Sequence, residues 1–200
     1  FDGDRFQKIN VPVPAGAGRV YAVADAADGT AWFATSAGLY RLSRGQWKAW
    51  TGANGLRAAR ASTLALDQSG DVWFGDQNNG LGHLRGQTVE YFTQSDGLAG
   101  DAVWDVASGP DGAIWIASRN GLTRYKDGVF SRIGGFREFG GWELWPVLPL
   151  RDRVLVGTIG GGTAVLDLAS VPTRPPRVSI DDPIVQNNTV TLRWRAATYL

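Results

Sequence analysis

A short turn ending in glycine, a tryptophan three residues later and a Gly-Leu pair six or seven residues beyond that recur three times along this chain. The turn glycines are Gly29, Gly70 and Gly112, the tryptophans Trp32, Trp73 and Trp115, and the Gly-Leu pairs begin at Gly38, Gly80 and Gly121, each series spaced by 41 or 42 residues. A period of roughly 40–45 residues built from short apolar strands is the signature of β-propeller blades, each a four-stranded antiparallel sheet. Such a repeat leaves little room for any other architecture. A propeller is also a scaffold for many activities, so function must be read from particular residues.

Within each repeat the strands are bounded by turn residues. Val20 to Asp25 reads as an innermost strand, followed by Thr30 to Thr35, Leu39 to Ser43 and Gln46 to Trp50, with Asp28-Gly29 predicting a two-residue type I′ hairpin. The blades are expected at 17–59, 60–100, 101–141 and, in degraded form, 142–171; the outer strand of a preceding blade is expected at 1–10. In the fourth blade Leu155 stands where the others have tryptophan. Pro146 lies inside its proposed inner strand, where proline cannot donate to a ladder. Four blades at most describe part of a propeller, with unpaired edges and apolar faces expected at both ends. A Pro-rich linker at 172–177 and the opening strands of a second β domain at 178–200 complete the expected organisation; Thr189 to Ala196 alternates as a single strand.

Charge and composition exclude several classes of function. Twenty Lys and Arg against 19 Asp and Glu give a formal charge of +1, with no extended basic run, so no nucleic-acid partner is expected. The chain has no cysteine, which excludes disulfides, thiolate catalysis and cysteine-held metals. Phe1 to Phe6 lacks a basic, apolar leader and reads as the middle of a repeat, so membrane association is expected only through segments outside these residues.

The run Val-x-x-Val-x-x-x-x-Asp-Gly-x-x-Trp-Ile-x-Ser-x-x-Gly-Leu-x-Arg-Tyr, from Val103 to Tyr125, resembles the two-component regulator propeller repeat, as does the linker Phe92 to Leu98. Arg-Pro-Pro-Arg-Val-Ser-Ile and the following Thr-Val-Thr-Leu-Arg-Trp-Arg-Ala resemble the start of the immunoglobulin-like Y_Y_Y module that follows such propellers. The family usually carries Asp three residues before the turn glycine; Asp67 obeys, whereas Ala26 and Gly109 do not. The resemblance implies an all-β chain, a partial propeller followed by the first strands of a β-sandwich. It further implies a periplasmic sensory region, itself without catalytic activity, of a hybrid histidine kinase-type protein or, less often, one with a diguanylate cyclase output, binding a small molecule or oligosaccharide; a homodimer is expected in the full-length form.

The recurrent tryptophans and turn glycines are expected to be structural. Candidate ligand residues lie on the loops joining second to third strands and outer to next inner strands, which emerge on one face: Asp76, Asn78 and Asn79; Arg119 and Asn120; and Arg137, Glu138 and Trp142, with Trp104 on an inner strand beside them. Planar hydrogen-bonding groups next to indoles suit a sugar, whose hydroxyls need paired donors and acceptors and whose ring face stacks on an aromatic. Arg57, Asp96, Asp101 and Trp145 lie on the same loops or strands. No catalytic residue, metal ligand or cofactor is expected. One alternative is an interaction or dimerisation scaffold. Another is a propeller enzyme like streptogramin lyase, which Gly-Asp-Val-Trp-Phe and Leu-Gly-His-Leu faintly resemble, although His83 is the sole histidine and such chemistry needs several converging ligands.

Overall fold

The computed structural model describes residues 8–16, 18–57, 60–135, 139 and 143–171 and, as backbone, the strands within 178–196. The chain divides into two compact units, Phe1–Leu168 and Ala169–Leu200. The first is a partial β-propeller. Strands β1 (Val20–Asp25), β2 (Ala31–Thr35), β3 (Gly38–Ser43) and β4 (Gln46–Trp50) form one antiparallel sheet in sequence order. The next blade is β5 (Thr63–Leu66), β6 (Val72–Asp76), β7 (Gly80–Arg85) and β8 (Thr88–Phe92); the third is β9 (Val103–Ser108), β10 (Ile114–Ser118), β11 (Gly121–Lys126) and β12 (Val129–Gly135). A fourth, three-stranded blade comprises β13 (Leu144–Pro149), β14 (Arg153–Thr158) and β15 (Gly162–Asp167). The inner strands β1, β5, β9 and β13 neighbour one another in series. The expected outer strand at 1–10 falls mostly outside the described residues.

The second strand of each complete blade is sandwiched between neighbouring blades, which explains why its sequence is apolar on both faces rather than alternating. Every residue of β6 and β10 is buried. Trp73 and Trp115 are 1% and 0% exposed. Trp73 packs with Ala65, Leu81, Leu98, Val103, Val106, Ile114 and Ile116, a core that joins the second blade to the third. Trp32 fills the same role one blade earlier, with Trp50, Leu56, Leu64 and Phe74. A buried indole removes roughly 150–250 Å² from water, about 4–6 kcal/mol at roughly 25 cal/mol per Å² before ordering entropy is subtracted. The links contribute too: Gly55 and Gly97, with φ of 113° and 118°, turn the chain so that Leu56 and Leu98 plug the seams between blades. In the fourth blade Leu155 pairs with Val165, which is 63% exposed. Large exposed apolar side chains gather on the first and last blades: Val20, Tyr21 and Val23, then Trp145, Leu148, Leu150, Ile159 and Val165.

Two local expectations need correction. Gly29 has φ of 78° but Asp28 is not left-handed, and the hydrogen bonds Gly29 N to Ala26 O and Ala26 N to Thr30 O close a three-residue loop. This is a type I turn followed by a left-handed glycine, the same as at Gly70 and Gly112. The type I′ turns are instead Arg44-Gly45 and Asp127-Gly128, where both residues have positive φ. In the second unit, β16 (Val178–Ile180), β17 (Ile184–Gln186), β18 (Thr189–Thr191) and β19 (Trp194–Ala196) pair as β16 with β19 and β17 with β18. The alternating run at 189–196 is therefore two strands with different partners.

Each inner strand of the first, third and fourth blades carries one extra residue. The register skips Tyr21 between Val20 and Ala22, Trp104 between Val103 and Asp105, and one residue of Trp145-Pro146, whose peptide bond is cis, opposite Gly157. The bulge accommodates Pro146, which has no ladder partner.

Candidate functional site

The two classes of loop expected to share a face are tied together by their backbones. Ser36 N donates to Arg19 O at 3.0 Å, Ala61 N to Thr35 O at 3.0 Å, Gly80 N to Asp101 O at 2.9 Å, Arg119 N to Ala102 O at 3.0 Å and Ile159 N to Glu143 O at 2.9 Å. In every blade, then, the turn between second and third strands is held against the segment leading into its own inner strand or, in the second blade, into that of the next.

On this face the candidate side chains take different parts. Asp76 is buried at 5% exposure, and its Oδ1 accepts the Asn78 N–H at 2.7 Å and Asn79 Nδ2 at 2.9 Å, so it closes the loop and leaves Asn78 and Asn79 exposed. Arg119 is exposed and ion-paired to Glu143 at 3.2 Å; Asn120 beside it is exposed. Trp104 is half-buried, and its indole N–H is shielded from water without a hydrogen-bond partner. Arg137, Glu138 and Trp142 lie outside the described residues. Asp101 accepts the Gln94 N–H at 2.7 Å, Asp96 that of Thr93 at 2.8 Å, and Arg57 lies over the Tyr91 ring. These three serve the links themselves.

Tyr21, Arg60 and Gln77 join the face. Tyr21, Ser62, Trp104 and Trp145 occupy equivalent inner-strand positions, so three of the four blades present an aromatic there. Each of these aromatics sits at an inner-strand bulge. Bulges re-aim side chains and are common beside binding sites. Tyr21 is 39% and Trp145 55% exposed. Arg60 lies over the Tyr21 ring, 5.6 Å from its centre, and donates to Gln77 Oε1. The signal for Tyr21 is the successive 41- and 42-residue spacing of Tyr21, Ser62 and Trp104, legible once the inner strands are aligned. Two clefts, of about 580 and about 390 Å³, open elsewhere, at the turn end of the first blade around Asp28 and Arg41.

Behind the aromatics, Asp105 clips three inner strands together. Its Oδ1 accepts Thr63 Oγ1 from β5 at 2.9 Å and the Val106 N–H at 3.0 Å, and its Oδ2 accepts Val147 N–H from β13 at 2.9 Å. Burial raises its pKa above the ordinary aspartate range, although all three hydrogen bonds pull the other way. His83 is buried at 3% exposure on β7, its ring stacked on Trp73 with centroids 3.8 Å apart. Burial, seconded by Arg85, lowers its pKa against the opposing charges of Asp71 and Asp67. No helix among the described residues is long and apolar enough to cross a membrane.

No family model matches the chain, and no curated protein matches it. Solved structures do. A protein described as the extracellular domain of a hybrid two-component system from B. thetaiotaomicron superposes with a TM-score of 0.64 at 19% identity over 76% of this chain and 21% of its own. A streptogramin B lyase gives 0.63 at 15% identity over 96% of this chain and 73% of its own. PorZ, a surface component of the type-IX secretion system of Porphyromonas gingivalis, gives 0.57 at 13% identity over 82% and 28%. The chain thus spans about a fifth of that extracellular domain. Likeness at these identities establishes the propeller fold and nothing narrower, as the three different activities illustrate.

Proposed function

We propose that this chain is part of the ligand-sensing, extracytoplasmic region of a two-component signalling protein, and that a carbohydrate binds on its loop face. The observation that carries the reading is the series of bulge-borne aromatics, Tyr21, Trp104 and Trp145, at matching positions of the inner strands. Sugar rings stack on such faces. Arg119, Glu143, Gln77 and the exposed Asn78, Asn79 and Asn120 supply planar donors and acceptors around them. The sensor setting is supported by the repeat resemblance and by the fold shared with a two-component extracellular domain; the second unit, on this reading, opens an immunoglobulin-like module.

Equilibrium dialysis of the chain against labelled oligosaccharides tests this. Saturable binding is expected, weakened about tenfold, or roughly 1.4 kcal/mol, by Trp145→Ala, whose exposed ring can be removed without unfolding the blade. No binding, or equal binding by the variant, would sink the proposal. An interaction scaffold is the second reading, favoured by the exposed Val23 and Val165 at 60% and 63%. A stable dimer in sedimentation, indifferent to every sugar, would point there. The lyase reading finds its one imidazole, His83, buried on a third strand against Trp73.

A further inference from the structure

At the opposite end of the second blade from the loop face, three ligand-type side chains converge on one point. The Asp67 carboxylate is held by three donors: Oδ1 accepts Ser69 N–H at 2.8 Å and Asp71 N–H at 3.0 Å, and Oδ2 accepts the Trp73 indole N–H at 3.0 Å. The His83 ring is fixed by stacking on the same indole at an interplanar angle of 11°. Its Nε2 is buried with no hydrogen-bond partner and points between two carboxylates, 3.9 Å from Asp67 Oδ2 and 3.7 Å from Asp71 Oδ2. Those separations exceed a hydrogen bond. All three ligand atoms lie within 4.8 Å of one another. Nitrogen and oxygen ligands at roughly 2.0–2.2 Å from a tetrahedral ion are about 3.4 Å apart, so closing on one requires only modest movement.

Comparison of the blades shows that this convergence is not imposed by the fold. The positions of Asp67, Asp71 and His83 are filled by Ala26, Thr30 and Arg41 in the first blade and by Gly109, Ala113 and Arg124 in the third. In both, the residue cross-strand from the tryptophan is an arginine, lying 5.8–5.9 Å from the indole centroid. Only the second blade replaces that permanent cation by an imidazole, and it alone has carboxylates at both other positions. Arg85 Nε now meets Asp71 Oδ2 at 3.2 Å, but with its side chain 69% exposed it is free to swing into solvent.

We propose that Asp67, Asp71 and His83 form a binding site for a divalent transition-metal cation, with water completing the coordination. One imidazole and two carboxylates suit Zn²⁺, Co²⁺, Ni²⁺ or Mn²⁺. The site is independent of sugar binding on the loop face. The sequence alone points to no metal because two of the ligands flank one turn and the third lies on a later strand, at no motif spacing.

The test is titration of the 200-residue chain with Zn²⁺ by calorimetry and with Co²⁺ by visible absorption. One equivalent is expected to bind, with a rise in melting temperature as metal favours the folded form. His83→Arg installs the residue both sister blades use there, and Asp71→Thr installs that of Thr30; either should keep the fold and weaken binding at least about tenfold. Asp152→Ala, an exposed carboxylate of the fourth blade, should leave it unchanged. The proposal is overturned if the parent chain binds neither ion saturably, or if folded His83→Arg and Asp71→Thr bind as tightly as the parent.

Discussion

Trp73 donates its indole N–H to Asp67 at 3.0 Å, whereas the equivalent indole of the next blade, Trp115, meets Gly109 and has no acceptor. A Cβ at position 109 would lie 3.2 Å from the Trp115 nitrogen and 2.8 Å from Asp111 Oδ1, so the space that Asp67 uses in one blade is occupied in the other by the turn itself. The blades thus share a tryptophan and differ in how its polar atom is treated.

Asp67→Ala removes the acceptor of one buried donor and of two turn N–H groups. The loss expected in metal-free buffer is about 2–3 kcal/mol, because leaving a buried donor unsatisfied costs about 1–3 kcal/mol and the exposed turn amides recover part of their bonding from water. Urea denaturation checks this, and a loss below the error of the fit would show that Trp73 is held by packing alone.

Asp105 gives the chain a stability term opposite in sign to the usual acid lability. Its carboxyl has a raised pKa in the folded chain, so the folded form retains a proton that the unfolded form has released. Its contribution is fully present below the unfolded value near about 3.9 and is lost as pH rises through the folded pKa. Asp105→Asn cannot titrate there, and its amide also presents a donor toward either Val147 N–H or the Thr63 and Val106 donors. The stability difference, parent minus variant, should therefore fall as pH is raised from about 4 and then level off. A difference that is constant or grows with pH in urea titrations would contradict the assignment.

Gly80→Ala should be among the most damaging single-methyl changes. Gly80 has φ of 80°, and a Cβ there would sit 2.2 Å from Phe92 O, a backbone atom of the neighbouring outer strand. Positive φ alone costs about 1–2 kcal/mol for an alanine, and the collision adds to it. Thermal unfolding should show a loss above about 2 kcal/mol, whereas Gly29→Ala, at φ 78° but with open space around it, should show only the first part.

The blade plan was legible because glycine turns and buried tryptophans recur at one spacing, and the weakness of the fourth blade was legible in Leu155. The turn type was not. Asp-Gly serves both two- and three-residue hairpins, and the choice is made by flanking register, here the Ala26–Thr30 hydrogen bond. Nor were the bulges visible, because Ser62 of the unbulged second blade keeps the same 41- and 42-residue spacing to Tyr21 and Trp104, so alignment of the copies shows no inserted residue. On the loop face the sequence placed Asn78, Asn79, Arg119 and Trp104 together but could not separate Asp76, whose carboxylate is consumed by its own loop. The convergence of Asp67, Asp71 and His83 depends on cross-strand register, which spacing along one strand does not reveal.

An inner-strand bulge relieves one residue in a blade of any duty to the ladder. Tyr21 and Trp104 stand at such positions between paired neighbours, and Trp145 shares its bulge with the unpaired Pro146 between Leu144 and Val147, which keep the register of the sheet. What the inner wall presents can accordingly be rewritten one blade at a time, by single substitutions that leave strand pairing untouched. The repeat supplies the frame, and its irregular residue supplies the vocabulary.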